Sequence, residues 1–276
     1  MGALLFRVAC QTYTWEMLGP AWRGSATDIL DWIADAGYEG IEITSSMIGE
    51  FADRPLAFAR ALKIRSLALC TYSCSTGSGF TDPACADTDL AAARDAIRFV
   101  RHFPGARLQL GSARDTGTGT AEIQLARAIA FYNMVGEMAY ESGIATHVHP
   151  NSVPTSLLKT AGAYRQLVGR LDPRFVGLAL DTGHVVRGGQ DLRSCLGAHV
   201  ERLVHVHVKD VTRDGHWIGL GEGEIDFQAF FRALRQQGYE GWIVAEEESE
   251  TAREDGAGAV RRNLTYLRGI LRATGD

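Results

Sequence analysis

LVHVHVKD, residues 203–210, sets His205, His207 and Lys209 against Val204, Val206 and Val208. Side chains on a β-strand point alternately to opposite faces, so one face carries two imidazoles and an amine and the other carries valines. A surface strand seldom holds such a set in register; a strand that ends in a polar cavity does. Three other stretches repeat the design. IATHVH at 144–149 ends in His147 and His149, VGLALDTGH at 176–184 ends in Asp181 and His184, and GWIVAEEE at 241–248 ends in Glu246, Glu247 and Glu248. Four apolar strands thus each deliver imidazole or carboxylate at the C-terminal end.

Outward from these stretches, strand and helix patterns alternate along the whole chain. Further strands are expected at 4–10, 38–44 (carrying Glu42), 64–72 and 106–110 (carrying Gln109). Helices are expected at 25–36, 54–62, 87–103, 118–143, 154–169, 191–199, 226–238 and 258–273. Alternation of this kind implies a parallel sheet. Eight such units with no linker between them predict an α/β fold, a single (β/α)8 TIM barrel over residues 1–276. In such a barrel the C-terminal strand ends open on one shared mouth, where chemistry is done.

Composition agrees and narrows the field. The 276 residues are 46% hydrophobic and 22% charged, with a net charge of -5, so neither a polyanionic partner nor a basic nucleic-acid face is favoured. No run reaches the ~18 apolar residues of a membrane span. The start, MGALLFRVACQTY, lacks a basic n-region and reads as a first strand, not a signal peptide. Five cysteines at scattered spacings point to reduced thiols and a cytoplasmic setting. Cys70 and Cys74 lack zinc-knuckle spacing, the GTGTGT and GLGEGE runs lack the spacing of a phosphate-binding loop, and no Gly-x-Ser-x-Gly elbow is present.

Taken together, His147, Asp181, His207 and Glu246 form a candidate site for one divalent ion. Mixed nitrogen and oxygen donors suit Mn, Co, Fe, Ni, Zn or Mg rather than Ca. Any one of them alone is as well explained by a hydrogen bond to a loop; four at matching positions are not. His149, Lys209, Glu246 and Glu248 are the candidates for proton transfer, with Lys209 equally readable as an ion-pair partner of Glu248. His184, Glu42, Trp15 and Arg213 are candidates for substrate contact, and Tyr13 and Glu16 beside Trp15 could share that wall. Glu42 reads equally well as half of a structural ion pair. His205, one step deeper than His207, reads as a satisfied core histidine.

From 143 to 248 the segments HVHP, LALDTGH, RLVHVHVKDV, GEGEIDF and GYEGWIVAEEE follow one another in the order seen in inosose dehydratases. The chain therefore resembles the xylose-isomerase-like barrel superfamily, which includes sugar isomerases and epimerases, and is closest in motifs to the inosose dehydratases. The first half resembles the family only as barrel scaffold, and its TYTWEM and CTYSCSTG loops depart from the dehydratase pattern. The resemblance implies metal ligands at Asp181, His207 and Glu246, with His147 standing where the epimerases usually have glutamate, and a substrate-facing His184.

What the resemblance implies chemically is proton abstraction α to the carbonyl of a polyhydroxy ketone, a keto-sugar or an inosose, with a divalent ion lowering the cost of the enediolate. Elimination is slightly favoured over isomerisation or epimerisation, and β-elimination of a 3-keto glycoside is a further outcome of the same enolate. The expected partner is a small sugar or cyclitol ketone, with no nucleic acid and no membrane, and self-association as a homo-oligomer is left open. An apurinic endonuclease would need a metal cluster and a basic face; a non-catalytic sugar-binding barrel would not need a full ligand set.

Overall fold

The computed structural model describes residues 6–275. The first two residues of the expected first strand, Leu4 and Leu5, lie outside the described residues. Eight parallel strands close into a barrel: β1 (Phe6–Gln11), β2 (Gly40–Thr44), β3 (Ala68–Cys74), β4 (Arg107–Leu110), β5 (Thr146–Val148), β6 (Val176–Asp181), β7 (Leu203–Val208) and β8 (Gly241–Ala245). Closure is made by β1, which pairs with β2 through Gln11 and Glu42 and with β8 through Cys10 and Ala245. The expected (β/α)8 fold is the observed one.

Each strand is covered on both faces, which is why the strands read as apolar runs. The outer faces pack on the helix ring through residues such as Ile41, Ile43, Phe58, Tyr132, Phe231 and Leu267. Ala9, Cys70 and Val244 form a separate small apolar cluster. The helices start where the caps predict. Ser25 and Asp28 make a reciprocal capping box ahead of Ala26–Ala36, which Gly37 ends at φ 98°. Thr120, Thr160, Asp191 and Asp226 each accept a backbone N–H at a helix start. Gly177 on β6 lets β7 approach closely: a Cβ there would meet Val204 Cγ2 at 2.5 Å.

Three local differences from expectation matter for the mouth. The helix expected at 154–169 is Ala161–Arg170, so the loop after β5 is longer and runs over the cavity. A short helix, Thr182–Arg187, follows β6 at once, because the Asp181 side chain caps it by accepting the His184 N–H at 2.7 Å. The segment after Lys209 folds back as a two-stranded ribbon, Asp210–Val211 against Trp217–Ile218. No helix among the described residues is long and apolar enough to cross a membrane.

Candidate metal centre

The C-terminal strand ends bring four side chains to one point. One donor atom each from His149, Asp181, His207 and Glu246 lie within 4.8 Å of one another, and all four residues are buried. Register explains the meeting. Asp181 and His207 are direct partners across β6 and β7, while Glu246 donates its N–H to Val208 O just past the end of β8. His149 sits just past β5, its N–H on Leu110 O. His207 Nδ1 is 2.7 Å from Glu246 Oε2 and 3.9 Å from Asp181 Oδ2.

This corrects the expected fifth-strand ligand. His147 faces the same interior, but it lies two residues deeper, which in a strand is about 6.6 Å. It pairs in register with Gln109, and its Nε2 is 3.0 Å from Gln109 Oε1. His149, expected to serve in proton transfer, takes the place expected of His147 among the four converging side chains.

The donor set suits a divalent ion of the transition series: two imidazoles and two carboxylates, together carrying the charge that such an ion neutralises. One sign of fit is that His149 Nε2 and Asp181 Oδ2, two of the converging donor atoms, are buried with no hydrogen-bond partner among the described residues. Buried polar atoms are rarely left so unless something else satisfies them. The carboxylates are held ionised. Burial pushes the Glu246 carboxyl up, but the Lys209 charge and the His207 hydrogen bond outweigh it and leave it well below the usual range. Asp181 is likewise lowered, against the burial penalty, by His184 and His149.

Beside the centre, Lys209 Nζ is buried between two carboxylates, 3.1 Å from Glu246 Oε1 and in contact with Glu248 Oε1. Burial opposes its charge, and the two glutamates more than restore it, so the amine stays an ammonium. Burial first, against the lowering Lys209 charge and helped by the Glu246 charge, raises Glu248 to about 7. The Trp217 ring covers Lys209, with Nζ 4.1 Å from its centroid, and meets His184 edge-on at 5.0 Å.

Above this lies a polar cavity of about 240 Å³, lined by His149, His184, Glu246 and Glu248 on one side and by Tyr13, Glu16, Ser45, Ser112, Arg114 and Asn151 elsewhere. His184 is held by Ser152, whose N–H and Oγ lie 3.1 and 2.9 Å from its Nδ1. A larger groove of about 580 Å³ on the outer wall shares none of these residues.

The other candidates divide. Tyr13 and Glu16 line the cavity, but Trp15 does not: it is 2% exposed and stacks on Trp32 at 5.7 Å, within an aromatic cluster that includes Trp22. Arg213 points to solvent, 91% exposed, near Glu224 at 3.8 Å, and does not line the cavity. Glu42 is fully buried below the mouth, bonded to histidines rather than open to a substrate. His205 lies in the core with its Nε2 on Glu42 Oε2 at 2.8 Å, while its Nδ1 is buried without a partner among the described residues. Ser152 and Arg114 lie on loops and Trp217 on the ribbon after β7, whose courses the strand pattern does not reveal.

The xylose isomerase-like TIM barrel model matches residues 30–270. The chain belongs to that family. An inosose dehydratase of Geobacillus thermodenitrificans is 34% identical over 140 residues, covering 44% of this chain and 46% of that protein. An inosose dehydratase of Lactiplantibacillus plantarum is 32% identical over 139 residues, with the same coverage. The chain thus spans about half the length of the curated relatives it matches. Among solved structures, the IolI protein with a bound zinc atom superposes with a TM-score of 0.83 at 14% identity, over 98% of this chain and 99% of that one. This last likeness shows the fold.

Proposed function

We propose that this chain is a divalent-metal-dependent enzyme that removes a proton α to the carbonyl of a polyhydroxy ketone, with inosose-dehydratase-like elimination as its reaction. The observation that carries this reading is the pair of partnerless buried atoms, His149 Nε2 and Asp181 Oδ2, within a four-residue donor set that opens on a polar cavity. The inosose dehydratases matched in sequence support the elimination. His149, Asp181, His207 and Glu246 would hold the ion, and a bound divalent ion supplies charge that stabilises an enediolate.

The remaining chemistry falls to the chain. Glu248, which lines the cavity and is raised toward neutrality, takes the α proton onto its carboxylate. Lys209 keeps that carboxylate in place and offers fixed positive charge to the developing anion. Returning the proton from Glu248 to a departing β-hydroxyl releases water and leaves an enone; returning it to carbon completes an isomerisation or epimerisation instead. His184, fixed by Ser152 and Trp217, binds a substrate hydroxyl. The cavity's serines, asparagine and arginine suit a ligand dense in hydroxyl groups. Five unpaired thiols fit a reducing, cytoplasmic setting.

The test is a screen of inososes, ketohexoses and 3-keto glycosides with metal-loaded protein in deuterated water. Deuterium entering the α position, read by NMR, reveals proton abstraction even where turnover is poor. Loaded protein that exchanges no α proton in any of these ketones would rule the reading out.

A further inference from the structure

Beneath the metal centre lies a second layer of buried polar side chains, nearly closed to solvent, that the proposed proton transfer does not use. Glu42, Gln109, His147 and His205 are each no more than 1% exposed, and they come from β2, β4, β5 and β7. The two His-Val-His stretches account for the layering. His147 and His205 are the lower members and stack at 4.6 Å; His149 and His207 are the upper members, 4.4 Å apart.

The hydrogen bonds of the lower layer run to one carboxylate. Glu42 Oε1 accepts from Gln109 Nε2 at 3.0 Å, and Glu42 Oε2 lies 2.8 Å from His205 Nε2 and 3.0 Å from His207 Nε2. With its amide nitrogen spent on Glu42 and Ser73, Gln109 turns its oxygen to His147 Nε2 at 3.0 Å. An ionised carboxylate is acceptor-only, and here it meets three donors. A glutamine in its place would turn an NH2 group against one of them.

We infer that Glu42 is the positioning residue of the metal centre: it holds His207 through Nε2–H so that Nδ1 is the atom presented to the ion, and the lower layer locks Glu42 in that orientation. The opposite ring edge is the one that faces Glu246 and Asp181, so the assignment of nitrogens follows from the ring's placement. A carboxylate on the far nitrogen of a metal-binding histidine fixes its ring and raises its donor strength. This rests on the metal reading above, and adds to it a residue that touches neither ion nor substrate.

The experiment is competition of zinc alone between a chelator and the protein, for wild type and Glu42→Gln, with the melting temperature of each metal-free form recorded. Zinc bound about 10- to 100-fold more weakly by folded Glu42→Gln is the expected result. Should Glu42→Gln not fold, nitrogen-15 spectra of zinc-loaded wild type decide the matter: the His207 ring proton is expected on Nε2 and the ion on Nδ1. A Glu42→Gln protein that folds and binds zinc as tightly as wild type overturns the inference, as does an ion on Nε2. Wild type that binds no zinc, manganese or cobalt would instead strike at the metal reading itself, before any variant is compared.

Discussion

His149 Nε2 and Asp181 Oδ2 lie 3.7 Å apart, and neither has a hydrogen-bond partner among the described residues. That gap is too long for a hydrogen bond, and an ion held at about 2.1 Å from each fits between them. His149→Ala should therefore lower zinc affinity by about 100-fold or more, a larger loss than a neighbouring residue gives. His147→Gln should retain most of it, because its ring reaches Gln109 rather than the centre. Chelator competition on the two variants checks this; stronger loss from the His147 variant would restore the deeper histidine as ligand.

Lys209 and Glu248 carry the proposed proton transfer and not the ion. Glu248→Gln should bind zinc normally and lose roughly 100-fold or more in turnover, the usual share of a general base. Lys209→Met should also bind zinc, yet its metal-free form should be destabilised by roughly 3 kcal/mol, since Glu246 and Glu248 lose their buried counter-charge. Zinc titration, turnover and thermal melts separate the three effects. Full activity in both variants would move the base to another group.

Trp217 roofs Lys209 and abuts His184 from the ribbon after β7. Its replacement by leucine removes a cation–π contact worth roughly 1 to 2 kcal/mol when shielded from water. Turnover should fall about tenfold with zinc affinity unchanged. Steady-state kinetics on the identified ketone measure this; an unaltered kcat/KM would mean the ring only packs.

His199, which is not among the converging donor residues, supplies a pH dependence of the fold. It packs on Tyr164 with Nδ1 buried and without a partner among the described residues, and burial, then the Arg165 charge, lower its pKa below 6.5. A histidine lowered in the folded state binds its proton more readily when unfolded, so its contribution is present above 6.5 and is lost as pH falls below it. Denaturant melts should show wild type losing more stability between pH 7 and about 5 than His199→Phe does. Parallel pH profiles for the two proteins would contradict the assignment.

The barrel was legible because its strands are buried on both sides and its helices carry side-chain caps, so apolar runs and Ser, Thr or Asp starts alternate visibly. Side-chain period two also showed that His205 and His207 share a face, and that His147 and His149 do. Height along the barrel was not legible. Whether His147 or His149 meets Asp181 depends on the stagger between β4, β5 and β6, which pairs His147 with Gln109 and lifts His149 to the rim. The union of Glu42 with His205 and His207 was hidden for a similar reason, since the residues are 163 and 165 positions apart. Trp15 and Arg213 were misplaced because the path of a loop depends on its neighbours: one turns into the tryptophan cluster, the other out to solvent.

The central claim is a single ion held by side chains from four strand ends, and crystallography of zinc-soaked protein with data on both sides of the zinc absorption edge tests it most directly. The account predicts one strong anomalous peak about 2.0 to 2.3 Å from His149 Nε2, Asp181 Oδ2, His207 Nδ1 and a Glu246 oxygen. A peak bound through His147, or an empty centre in protein that carries zinc elsewhere, would contradict it.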